Sequence, residues 1–143
     1  MSILSNEWRD NFSKEQFQLV QSLVADLSEA VMVVDAQEGV YDPPILLINK
    51  AFTELTGYAP EEIVGKTPKI LQGPRTKREV LDRLKKNVAD KEQFRGRTWN
   101  YRKDGSEFMM EWEIVSFHDT QGQVSFYMTI QREAQGPAGD ATG

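Results

Sequence analysis

The chain has 143 residues, 17 Lys and Arg against 22 Asp and Glu, a net charge of −5, and no cysteine. That length suits one domain with a single core. The lack of cysteine excludes disulfides, thiolate metal sites and thiol nucleophiles, and a mildly acidic chain of interspersed charges argues against nucleic acid as a partner.

Taken in chain order, residues 1–11 read as a lead-in. Ser13 then has the pattern of an N-cap, with Gln16 as its capping-box partner and Phe12 and Phe17 as a hydrophobic staple. Val20, Leu23, Val24 and Leu27 recur at helical spacing and predict an amphipathic helix, packed on its own domain or on a second copy. Ala30 to Asp35 and Ile45 to Asn49 are short apolar runs bounded by turn residues, which predicts two buried strands. The ten residues from Asp35 to Pro44 are too many for a tight hairpin.

Asn49 is placed to cap a helix running to Thr56 that Gly57 stops; Pro60 opens a second short helix that Gly65 stops. Between Gly65 and Pro74, two cations, a central proline and the amide of Gln72 predict a short helix lining a pocket. Thr76 and Glu79 form a capping-box pattern ahead of a helix whose Val80, Leu81, Leu84 and Val88 face inward.

The last third changes to period two. Arg97–Arg102, Phe108–Phe117 and Val124–Arg132 alternate, with Asp104-Gly105 and Gln121-Gly122 as turns, predicting a three-stranded meander. On the middle strand Phe108, Met110, Trp112 and Ile114 share the core face; Met109, Glu111, Glu113 and Val115 share the other. The final strand has bulk on both faces: Phe126, Met128 and Ile130 oppose Tyr127, Thr129 and Gln131. Such a sheet needs two covers, which the central helices and the N-terminal helix can supply. The class is α+β, without a parallel β-α-β rhythm. Gly136–Gly143 is small and polar, and a disordered tail is expected there.

The series Gly57-Tyr58, Gly65, Lys69-Ile70-Leu71-Gln72-Gly73-Pro74, Thr76, Asn100-Tyr101, Lys103-Asp104-Gly105, Phe108 and Gln131 resembles a PAS domain of the light-oxygen-voltage (LOV) branch. The resemblance covers residues 26–133. It implies a five-stranded antiparallel sheet with short helices on one face and a flanking N-terminal helix, preceding a tail at 134–143. It also implies a flavin cofactor, FMN or alternatively FAD. In the family the pocket helix reads Gly-x-Asn-Cys-Arg-Phe-Leu-Gln; here Thr67 stands for the Asn, Pro68 for the reactive Cys, Lys69 for the Arg, and Gln72 is kept.

Carried over residue by residue, the resemblance puts Lys69 and Lys85 at the flavin phosphate and Gln72, Asn100 and Gln131 at the polar edges of the ring. Met110 replaces a second ring-contacting Asn, Trp112 and Ile114 take ring-packing positions, and Thr129 stands where Gly is usual. Pro68 has neither nucleophile nor backbone N–H, so the family's cysteinyl-flavin adduct has no counterpart. The implied function is a sensor that signals by flavin photoreduction or redox state, through Gln131 to the sheet and the N-terminal helix. The alternative is a flavin-free PAS module for dimerisation or protein interaction. A homodimer through Met109, Phe126, Met128, Ile130 and the N-terminal stripe is expected, with a signalling partner of unknown identity.

No carboxylate pair, nucleophile–base set or phosphate-cradling glycine motif is spaced for catalysis, so no enzyme and no metal site are expected. His118, the single histidine, falls at a turn and reads as a surface residue. No apolar run is long enough to span a membrane, and the first residues carry charges unlike a signal peptide, so the expectation is a soluble cytoplasmic protein.

Overall fold

The computed structural model describes residues 7–36, 43–90 and 92–135, with side chains from Glu15 onward. Helix α1 (Glu7–Ala25) leads into strand β1 (Ala30–Asp35) and strand β2 (Ile45–Ile48). Three short helical pieces follow: α2 (Lys50–Thr56), α3 (Pro60–Ile63) and a 3-10 helix (Pro68–Leu71). Helix α4 (Arg78–Ala89) then precedes β3 (Phe94–Tyr101), β4 (Glu107–His118) and β5 (Val124–Glu133). The strands form one antiparallel sheet in the order β2-β1-β5-β4-β3. The last strand of the chain therefore sits at the centre, between the first strand and the meander that precedes it.

Each face has its own cover. The inner face buries Met32, Val34 and Ile48 against Phe52, Ile63 and Leu71 from the short helices. Further along that face Phe108, Met110 and Trp112 pack with Phe94 and with Val80 of α4. On the outer face Val20 and Val24 of α1 cover Val31, Val33, Leu47 and Phe126. Phe17 meets Phe126 edge-on at 6.1 Å between ring centroids, a favoured quadrupole arrangement. The outer surface of β3 and β4 is charged instead. There Arg95 and Arg97, with Arg132 at the end of β5, interleave with Glu111 and Glu113 at 3.3–3.7 Å.

Asn49 is the junction of these layers. Its Oδ1 accepts from Val31 N at 2.9 Å and Phe52 N at 3.0 Å; its Nδ2 donates to Val24 O at 2.8 Å and Glu29 O at 2.9 Å. The expected cap of α2 thus also ties the end of α1 to β1. Gly57 stops α2 at φ 86°, Gly65 follows α3 at φ 93°, and Gly105 and Gly122 turn the two hairpins at φ 89° and 81°, conformations that favour glycine.

Several expectations need correction. The first helix opens at Glu7, so Ser13 lies inside it and is not its N-cap. Phe12 of the proposed staple lies outside the described side chains. Leu23 and Leu27 are not in the buried stripe: they are 64% and 48% exposed, and Leu27 lies past the helix end. Thr76 does not cap α4, whose N-cap is Lys77. The Thr76 hydroxyl donates instead to Trp99 O at 2.7 Å and accepts from Gly73 N at 3.0 Å. Strand β3 begins at Phe94, three residues before its expected start. Residues 37–42 of the predicted loop and the tail from Gly136 onward lie outside the described residues.

Candidate functional site

Register decides which polar side chains share a wall. Across β4 and β5, Trp112 stands opposite Gln131 and Ile114 opposite Thr129; across β3 and β4, Thr98 faces Met110 and Asn100 faces Phe108. Directly opposed residues in antiparallel strands lie on the same side. Asn100, Met110, Trp112, Ile114, Thr129 and Gln131 therefore line the inner face together, and all but half-buried Ile114 are buried. Burying two amides in an apolar wall is costly unless each finds partners.

For Gln131 those partners are incomplete. Asn100 Nδ2 donates to the thioether of Met110 at 3.6 Å, a weak acceptor. Gln131 Nε2 donates to the Thr129 hydroxyl, which itself donates to Met32 O of β1 at 3.1 Å. Gln131 is 1% exposed, and its Oε1 has no hydrogen-bond partner. An orphaned buried acceptor of this kind costs on the order of 1–3 kcal/mol. A group supplying a donor there would recover that energy.

The residues expected to line a pocket from the 3-10 helix are half-buried or exposed. Thr67 is the N-cap of the 3-10 helix and Pro68 its first residue, both half-buried. Lys69 is exposed, Gln72 caps the end of the helix half-buried, and Lys85 is half-buried on α4. The loop after them is pinned to β3: Arg75 N donates to Tyr101 Oη at 3.0 Å, and a Cβ on Gly73 would run into the Tyr101 ring. Glycine is required there by close approach.

Arg83 of α4 carries no signal in the sequence pattern that sets it apart from the neighbouring cations. Its guanidinium lies 4.8 Å from the Phe94 ring centre, with Nη1 donating to Arg95 O at 3.0 Å. Its Nη2 is buried without a partner. Lying three residues after buried Val80, it occupies the edge of the buried stripe of α4, where sequence cannot tell a solvated cation from one turned inward.

A groove of about 280 Å³ opens at the far end of the inner face, between the end of α4 and β4–β5. Val88, Glu92, Ile114, His118 and Tyr127 are among its lining residues, so Ile114 alone of the expected contact residues reaches it. Burial holds the Tyr127 hydroxyl above its ordinary range, since desolvation disfavours the phenolate. Phe94 and Trp112 pack at 5.1 Å between centroids on this face.

With an antiparallel sheet in this order, short helices on its inner face and α1 on its outer face, the chain belongs to the PAS family, whose fold model matches residues 18–132. Its relatives and structural neighbours include LOV domains. It is 32% identical over 116 residues to phototropin-2 of Oryza sativa, and 30% identical over 118 residues to the blue-light photoreceptor of Listeria monocytogenes. It is 34% identical over 92 residues to the bacterioopsin transcriptional activator of Halobacterium salinarum. Those matches cover 81%, 82% and 64% of this chain but only 13%, 46% and 14% of the relatives. Among solved structures, a LOV domain studied with a flavin analogue superposes with a TM-score of 0.71 at 27% identity, covering 87% of this chain and 88% of that one. The light-state aureochrome LOV domain gives 0.69 at 26% identity, covering 82% and 89%. The family is a sensory one, and no helix among the described residues is long and apolar enough to cross a membrane.

Proposed function

We propose that this chain is a flavin-binding sensory domain of the LOV type that works without a cysteinyl adduct. The observation carrying this reading is the buried, unpartnered Oε1 of Gln131 on the same wall as buried Asn100. An isoalloxazine ring has a polar edge of several acceptors with an N–H donor among them and an apolar body, and the wall offers amides for the first beside Trp112 and Ile114 for the second. Gln72 serves the ring from the 3-10 helix, with Thr67 beside it. Lys69 and Lys85 supply positive charge for the phosphate, and Arg83 adds an unpartnered N–H. FMN is the cofactor of this reading, with FAD as the larger variant.

When bound, a flavin supplies blue-light absorption and one- or two-electron chemistry. The chain's own part is to bind the ring, keep water from it and offer no nucleophile at Pro68. Gln131 senses the protonation of the ring edge. Ile130, next to it on β5, faces the opposite way into the layer under α1, so a shift of the strand is felt on both faces. The output surface is α1, where Leu19 and Leu23 stay exposed at 58% and 64% and fit a second copy or an unidentified signalling partner. Met109 and Phe126, expected at that interface, are already buried within the chain.

A second reading has its own observation. Phe94, Met110, Trp112 and Val80 already pack together on the inner face, as they would in a flavin-free interaction module. The absorption spectrum of purified protein separates the two. A structured flavin band, converting under blue light or reductant to a reduced spectrum without an adduct signature, supports the first reading. Protein that stays colourless after incubation with FMN and FAD overturns it.

A further inference from the structure

The same wall carries a device that sets the orientation of Gln131. Thr129 and Gln131 lie two apart on β5, so their side chains share a face, and they are 3% and 1% exposed. A hydroxyl has one hydrogen and two lone pairs, while a carboxamide has a donor end and an acceptor end. The Thr129 hydroxyl lies 3.1 Å from Met32 O, to which it can only donate. With its one hydrogen used there, it can only accept from Gln131, through Nε2. Oε1 is then left buried and unpartnered.

The opposite orientation would have the hydroxyl donate to Oε1. It would give up the bond to Met32 O and orphan Nε2, leaving one hydrogen bond in place of two. The strand pairing of Met32 with Thr129 keeps the carbonyl within reach, so the preference is built into the sheet. Nothing at the pocket helix is needed to maintain it.

We infer that Thr129 is a positioning residue that locks Gln131 with its acceptor end toward the ligand, so that the site selects a ligand state carrying an N–H or O–H donor there. This deepens, and rests on, the flavin reading. The polar edge of an oxidised isoalloxazine ring is mostly acceptors, carbonyl oxygens and unprotonated nitrogens. Uptake of two electrons from a reductant, with protons from water, adds an N–H donor. A fixed acceptor thus favours the reduced ring. A free amide would turn its Nε2 to the oxidised ring and favour neither form as strongly.

The test compares wild type, Thr129→Val, which keeps the shape and removes the hydroxyl, and Thr129→Ser, which restores it. Flavin-loaded proteins are titrated with dithionite against a dye of known potential. Thr129→Val is expected to lower the reduction potential by about 30 mV or more, a tenfold shift of the reduced-to-oxidised ratio for a two-electron couple, with Thr129→Ser close to wild type. Equal potentials in all three overturn the inference. Side-chain amide NMR of the same proteins without flavin gives an independent readout. In wild type and Thr129→Ser the Gln131 amide protons should be shifted and slow to exchange, and in Thr129→Val free. Indistinguishable Gln131 amide signals in the three proteins overturn the lock whether or not flavin binds. An intact lock in a protein that takes up no flavin supports the lock and refutes only the flavin reading.

Discussion

At the scale of single residues, the inner wall is defined by what its polar groups lack. Asn100 has a thioether for a partner, Gln131 has half of its amide satisfied, and Arg83 has one nitrogen without a partner. Tyr127 shows a different consequence of burial on the same strand. Its folded-state pKa is raised above the ordinary 10.0, so the folded form holds the phenolic proton more tightly than the unfolded form. A raised pKa contributes stability that is complete below pH 10 and is lost as pH climbs through the folded value. Urea unfolding followed from pH 8 to pH 11.5 should therefore show an alkaline loss of stability in wild type that is smaller in Tyr127→Phe. Parallel curves for the two proteins would remove Tyr127 from the alkaline transition.

At the scale of elements, α1 is divided between two roles. Phe17, Val20 and Val24 dock on β1, β2 and β5, while Leu19 and Leu23, one turn apart, form a row facing away from the sheet. An i, i+4 pair of exposed leucines on a helix already docked by its other side is free to meet the same pair of a second copy, as a twofold axis would arrange it. Replacing both leucines with Gln keeps helix propensity and removes the apolar row. Sedimentation should show a dimer for wild type and a monomer for the double variant, with unchanged far-UV circular dichroism. A wild-type monomer at all concentrations would rule the contact out. The charged ladder on β3 and β4 limits the alternatives: Arg97–Glu111 and Arg132–Glu113 keep that part of the outer face polar.

At the scale of the whole molecule, cohesion runs through Asn49. Four hydrogen bonds link it to α1, the α1–β1 connection, β1 and α2, using all of its amide capacity. Truncation to Ala removes a helix cap worth about 1 kcal/mol and strands buried backbone groups at about 1–3 kcal/mol each. Asn49→Ala should therefore destabilise the domain by roughly 3 kcal/mol or more. The loss is expected in one cooperative transition, because the groups it strands belong to several elements. A midpoint in denaturant within error of wild type would show that water replaces those bonds at little cost.

Much of this was legible in the sequence, and for local reasons. The strands follow from alternation, the turns from Gly57, Gly105 and Gly122 at positive φ, and the cap of α2 from an Asn ahead of an apolar periodic run. Period two puts Met110, Trp112 and Ile114 on the core face of the middle strand, whereas Asn100, Thr129 and Gln131 were joined to them only by the family resemblance. Other features depended on groups distant in sequence. Thr76 had a capping pattern, but Trp99 O competes for its hydroxyl from 23 residues away. Leu23 had helical spacing, but the docking of Phe17, Val20 and Val24 on β5 set the helix phase and turned it outward. The inward cation Arg83, the packing of Phe94 on Trp112 and the lock of Thr129 on Gln131 all depend on register and helix placement. The sequence by itself determined the elements, because propensity and capping act within a few residues. Only the tertiary structure decided which buried polar groups go without partners, because satisfaction is a property of the whole neighbourhood.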